Sequence, residues 1–298
     1  LRIYRYATDK SARIAIAVDD GPLIDLDAAL GSSAAEVGST LAFIQAGPDA
    51  WTAAAAAVRA ASDDAVVPDD AKFLNPLDRI ESLRDFLAFE DHVKGGAERR
   101  GTTVPDYWYE APVYYKGNHR TLIGPNDECP WPSYTSKMDF ELELGMIVGT
   151  GGRDIDAGSA GRHIFGFTVF NDLSARDIQS KEMSAWLGPA KGKDFANAFG
   201  PCIVTADELG AEPDLEMICR VNGHEWGRAR SSAMRWNWGD MIAHVSRDED
   251  IFPGDVYGSG TPGGCCGLDI GRSLTPGDVV ELEIEQIGVL RNSIGDRR

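Results

Sequence analysis

The sequence predicts a mixed, strand-rich α+β fold with a few short helices. Three observations carry that expectation. The 298 residues include 33 glycines and 15 prolines spread along the chain, which suits strands and turns better than a helical bundle. Several stretches alternate apolar and polar residues with the two-residue period of a strand. No fixed-period repeat is present. At 43% apolar residues, a chain of this length can bury one large core, or a small domain beside a larger one.

The opening stretch LRIYRYATDKSARIAIAVDDGPLIDL alternates and turns at Asp20-Gly21-Pro22, predicting two or three strands. STLAFIQA and DAWTAAAAAVRAAS read as helices, the second with Asp49 as N-cap after Gly47-Pro48. Its alanines suit a surface helix. VVPDDAKFLNP reads as a connection. The expected division is an N-terminal α+β domain over residues 1–72 and a larger domain over 73–298. SLRDFLAFEDHVKGGAERRG reads as helical with a mobile end at Gly95-Gly96, and PDYWYEAPVYYKG as aromatic and extended. Strands are expected over 138–149, 163–170, 201–206, 215–221 and 278–290.

Charge and composition exclude several classes. A net charge of −18 argues against nucleic-acid binding, which needs clustered Lys and Arg. No apolar run reaches the roughly 20 residues that span a bilayer, and the opening residues carry no signal-peptide pattern. The cysteines, Cys129, Cys202, Cys219, Cys265 and Cys266, are odd in number and form no C-x-x-C pair. The expectation is a reducing cytoplasm and no zinc site. A packing role is expected for the adjacent Cys265 and Cys266.

Candidate chemistry begins at KMDFELELGMIVG. On a strand, Asp139, Glu141 and Glu143 share one face. The plain explanation is a half-exposed strand with its acids in water, and VVELEIEQIGV repeats the spacing with Glu281, Glu283 and Glu285. The first row differs in its downstream neighbours. FGFTVFNDLSARDIQ runs from an apolar strand into Asp172, Arg176 and Gln179, spaced i, i+4, i+7 as on one helical stripe. The glycine-rich GPAKGKDF then brings two lysines, Lys191 and Lys193.

These segments together resemble the fumarylacetoacetate hydrolase family. The acid row matches that family's acid-aromatic-Glu-x-Glu-Leu motif, NDLSARDIQ its N-D-x-[ST]-A-R-D-x-Q segment, and LGPAKGKDF its glycine-rich lysine loop. GSGTPGGCCGLDIGRSLTPGDVVELEIEQIGVLRN resembles its closing segment. The resemblance covers roughly residues 73–298. It implies a fumarylacetoacetase-like β-roll or β-sandwich catalytic domain that forms homodimers. It also implies a divalent metal on Glu141, Glu143 and Asp172, with Asp85 as a further ligand and Asp139 in support. The physics agrees: two carboxylates about 4 Å apart repel by about 4 kcal/mol at an effective dielectric of 20. A buried cluster must therefore protonate or hold a cation, and an all-carboxylate set favours Mg²⁺, Mn²⁺ or Ca²⁺.

By the same resemblance, His92 is the candidate base, Lys193, Arg176 and Gln179 hold developing negative charge, and Tyr115 and Thr261 contact the substrate. The sequence departs from the family twice. One branch places Glu three residues after the His, where Gly95 stands here. Another takes an orienting Glu from a late strand, where Asp269 stands here, one methylene shorter. Asp269 is thus the candidate partner of His92. The implied reaction is metal-dependent hydrolysis of the C–C bond of a 1,3-diketo acid. The alternatives are a 2-oxo acid decarboxylase, tautomerase, isomerase or hydro-lyase on the same fold, and a metal-dependent binding protein without turnover. Gly95 weakens the decarboxylase branch.

Overall fold

Strand pairing organises the chain around three sheets in the computed structural model, which describes residues 1–31 and 39–297. The largest has eleven strands. Its main path runs Ile24–Asp25, Ala12–Ala17, Arg2–Ala7, Asn197–Thr205, Ile164–Asp172, Leu142–Val148, Asp255–Gly258, Ser82–Phe86 and Tyr114–Lys116, with Phe73–Leu74 and Leu122–Ile123 attached at the side. A five-stranded sheet orders His224–Arg230, Glu216–Val221, Val279–Ile284, Gly288–Arg297 and Glu128–Trp131. Ser174–Ala175 pairs with Met138–Asp139 in a short ribbon. The mixed, sheet-rich class expected from the sequence is what forms, without closure into a barrel.

Alternation along the strands divides the core. Leu142, Leu144 and Met146 face one cluster with Met217, Cys219, Leu282 and Leu290, which joins the two large sheets. Ile147, Phe165, Phe170 and Phe199 face a second cluster with Phe43, Ile44, Ala54 and Val58 from the N-terminal helices. Arg2 and Ile3 pair with Val204 and Ile203, so residues on either side of position 72 share the main sheet.

Several local expectations are corrected. Gly47 is the N-cap of the helix Pro48–Ala60, and Asp49 lies in its first turn. Pro48 takes the first helical position, where its missing N–H costs nothing. Ser82–Phe86 is a strand, parallel to Asp255–Gly258, because tertiary pairing overrides local preference. The helix behind it, Glu90–Arg99, continues through Gly95 and Gly96. It stops near Gly101, whose φ of 66° is the left-handed conformation of a helix terminus. Asp106–Glu110 is a short helix, with Trp108 buried and its Nε1–H donating to the Leu87 carbonyl at 2.8 Å. Asp172 ends a strand, and the helix carrying Arg176 and Gln179 begins at Arg176.

Candidate active site

Four neighbouring strands of the main sheet build an acidic floor. Asp85 lies on Ser82–Phe86, Glu143 on Leu142–Val148 and Asp172 at the end of Ile164–Asp172. Gly258 stands between them, paired with both Asp85 and Gly145. Asp85, Glu143 and Asp172 are buried, and one carboxylate oxygen from each lies within 4.8 Å of the others. Gly258 keeps this space open. A Cβ there would come 2.4 Å from Asp85 Oδ1 and 2.6 Å from Glu143 Oε2.

Two cations border the floor. Lys193 Nζ donates to both Glu141 and Asp172. Arg176 donates to Glu141 Oε1 at 2.9 Å, to Asp139 Oδ2 at 2.8 Å and to Gln179 Oε1 at 3.1 Å. Both cations are buried and pushed above their ordinary pKa: burial opposes their charge, and the adjoining carboxylates outweigh it. Tyr115 donates its hydroxyl to Asp172 Oδ1 at 2.9 Å. Asp139 also accepts from the Gly267 and Leu268 amides at 2.8 and 2.9 Å. It thereby ties the guanidinium to the loop that carries Asp269.

The ionisation pattern splits the acids. Burial raises Glu141, but Arg176 and Lys193 together hold it below the ordinary carboxylate range. Burial and then Asp172 push Asp85 well above that range. Burial, Asp85 and Asp172 do the same to Glu143. Burial also raises Asp172, against the pull of Lys193. Five buried carboxylates, Asp85, Asp139, Glu141, Glu143 and Asp172, face two buried cations, so negative charge is in excess.

The base side is formed by the helix Glu90–Arg99 and the loop after Gly260. His92 Nδ1–H donates to Asp269 Oδ2 at 2.8 Å. Asp269 also accepts from the Gly264 amide at 3.0 Å and from Arg99 at 2.7 Å. Burial acts to raise Asp269, but the hydrogen bond from His92 and its neighbours hold it below the usual range. With Nδ1 committed, Nε2 is the ring nitrogen available for proton transfer. Cys266 pairs with Glu141 across a backbone bridge, which brings this loop against the acid row. Thr261 is buried, and its hydroxyl donates to the Cys265 carbonyl at 3.2 Å.

The residues present fit a divalent cation. Asp85 Oδ1 and Glu143 Oε1 are buried without any hydrogen-bond partner, which is costly unless a proton or cation meets them. The structure brings together Asp85, Glu143 and Asp172, with Glu141 across Lys193. It also places His92 with Asp269, and Arg176 with Gln179. Sequence reasoning missed Arg99 and Gly258. An exposed helical arginine reads as solvated, and a strand glycine near residue 258 gains meaning only once its neighbours are known.

A family model described as the C-terminal part of fumarylacetoacetate (FAA) hydrolase matches residues 82–295. The chain belongs to the fumarylacetoacetate hydrolase family. Members similar to it include the mitochondrial oxaloacetate tautomerase FAHD2A of Homo sapiens, 33% identical over 230 residues, covering 74% of this chain and 69% of that one. The 2,4-didehydro-3-deoxy-L-rhamnonate hydrolase of Sphingomonas sp. strain SKA58 is 32% identical over 219 residues, covering 71% and 72%. Among solved structures of the family, the fumarylacetoacetate hydrolase of Exiguobacterium antarcticum superposes with a TM-score of 0.79. It is 27% identical and 99% of each chain is covered. The family is enzymatic, and these names place oxo acids among its members' substrates.

Proposed function

We propose that this chain is a divalent-metal-dependent hydrolase that cleaves a C–C bond of a 1,3-diketo acid. The observation that supports it most is the His92–Asp269 pair set against a carboxylate cluster with two partnerless oxygens. Glu141, Glu143, Asp172 and Asp85 would hold Mg²⁺, Mn²⁺ or Ca²⁺, and the bound ion would act as a Lewis acid toward the oxygens of the keto acid. His92 Nε2 takes a proton from the attacking water, and Asp269 holds the ring in the tautomer that permits this. The water oxygen adds to a carbonyl carbon, the C–C bond breaks with its electrons passing to the neighbouring keto fragment, and the carbon of that fragment takes back the proton from His92 Nε2, which restores the base. Arg176, Gln179 and Lys193 donate to the negative charge that develops there. Tyr115 and Thr261 orient the substrate.

His92→Ala should cut turnover by about 100-fold or more while Mn²⁺ binding, followed by calorimetry, persists. Retained turnover would remove His92 from the mechanism. A second reading, tautomerisation of a 2-oxo acid, is favoured by the 33% identity to the human tautomerase. It uses the same base without water attack. Mass spectrometry of products from acylpyruvates, 2,4-diketo sugar acids and oxaloacetate, with Mg²⁺ added and then chelated, separates the two. Hydrolysis adds water across a cleaved bond, and tautomerisation leaves mass unchanged.

The proposal includes a homodimer. Exposed Met183, Trp186 and Leu187 offer apolar surface for one, and light scattering checks it. No helix among the described residues is long and apolar enough to cross a membrane.

A further inference from the structure

A second group of metal-binding donors lies beside the acidic floor. One ring nitrogen of His92, the Cys266 thiol and a carboxylate oxygen of Asp269 lie within 4.8 Å of one another. They come from separate places: the helix Glu90–Arg99 and two points of the loop after Gly260. The His92 and Asp269 side chains are 13% and 6% exposed, and Cys266 is fully buried. The sequence concealed this set, because its spacing matches no zinc signature and the histidine stands more than 170 residues before the cysteine.

We propose that His92, Cys266 and Asp269 form a binding site for a borderline-soft dication such as Zn²⁺, separate from the all-oxygen cluster, and that its occupation switches the enzyme off. The two donor sets differ in kind. Carboxylates suit Mg²⁺, Mn²⁺ and Ca²⁺, whereas imidazole and thiolate select Zn²⁺ and its relatives. Cys sulfur, His nitrogen and carboxylate oxygen are each zinc ligands, and three protein ligands with a fourth position left to water form a recurring zinc arrangement. The charges balance, since a thiolate and a carboxylate neutralise one dication. Burial pushes the Cys266 thiol up, Glu141, Asp139 and Asp269 act in the same direction, and Arg176 opposes them, so it is the dication itself that displaces the thiol proton on binding. Asp269 stays oriented by Arg99 on its other oxygen. Cys265 is directed elsewhere, against Cys219, which makes it a control.

Only the switching-off rests on His92 being the base, so the test reads binding and turnover separately. With Mg²⁺ saturating, Co²⁺ added to the wild-type protein should produce a thiolate-to-Co²⁺ charge-transfer band in the near ultraviolet. The band should vanish in Cys266→Ala and in Cys266→Ser and persist in Cys265→Ala. Circular dichroism confirms that each variant is folded. Zn²⁺ should inhibit wild-type turnover, with inhibition at least about 10-fold weaker in Cys266→Ser, each protein normalised to its own Mg²⁺-supported rate. A wild-type protein without the band, or a band unchanged in both Cys266 variants, overturns the site. A band with undiminished turnover overturns the switch alone. A band in a protein inactive toward every diketo acid upholds the site and counts against the hydrolase.

Discussion

Two rows of acids with the same spacing meet different fates. Glu281, Glu283 and Glu285 stay at the surface, Glu283 pairing with Arg220, while Asp139, Glu141 and Glu143 are buried. The period of two was visible in both rows. What distinguished the first was the company of Asp172, Arg176 and Lys193 in later segments. Gly258 carries a sharp expectation at this scale. In Gly258→Ala the new methyl would crowd Asp85 and Glu143, and Mn²⁺ affinity measured by calorimetry should fall at least about 10-fold. Unchanged affinity would mean that the cluster is not where the ion sits. Arg99 makes a second test as a positioning residue. Arg99→Ala frees Asp269 Oδ1, so kcat should fall by about 10-fold with KM nearly unchanged, and Arg99→Lys should restore part of it. A loss confined to KM would assign Arg99 to substrate binding instead.

Elements explain why the site forms where it does. The strands bearing Asp172, Glu143, Gly258 and Asp85 are consecutive neighbours in one sheet, so four distant segments deliver their side chains to one place. The alternation of Leu142–Val148 was legible in the sequence, whereas the stretch 278–290, expected as one strand, is a hairpin of Val279–Ile284 and Gly288–Arg297. The pairing of Ser82–Phe86 with Asp255–Gly258 was not legible, since it joins segments over 170 residues apart and leaves no local periodicity. That is also why Asp85 read as part of a helix. The N-terminal helices dock on the sheet through Phe165, which meets Trp51 and Phe43 at ring-centroid distances of 4.7 and 6.3 Å. Phe165→Ala should destabilise the fold by about 3–5 kcal/mol, measured by urea unfolding. A change below about 1 kcal/mol would mean that this face repacks freely.

At the scale of the whole molecule, the acidic cluster ties stability to pH and metal. Burial and mutual repulsion raise the folded pKa of Asp85 and Glu143 above their ordinary values of 3.8 and 4.5. A carboxyl raised in this way holds its proton longer when folded than when unfolded. Its stabilisation is therefore present below the ordinary value and is lost as pH rises toward the folded one. A bound dication removes that loss by replacing the protons. The melting temperature should thus rise more on adding Mg²⁺ at pH 8 than at pH 5. An equal rise at both would detach the metal from these carboxylates. This coupling could not be read from the net charge of −18, which counts surface acids and buried ones alike.

The central claim is that a dication sits among Asp85, Glu143 and Asp172. An anomalous difference map from a crystal grown with Mn²⁺ tests it most directly. One strong peak is expected, bonded to oxygens of all three residues, beside Gly258. A map with no peak there, and with Asp85 Oδ1 and Glu143 Oε1 still without a partner, would contradict it.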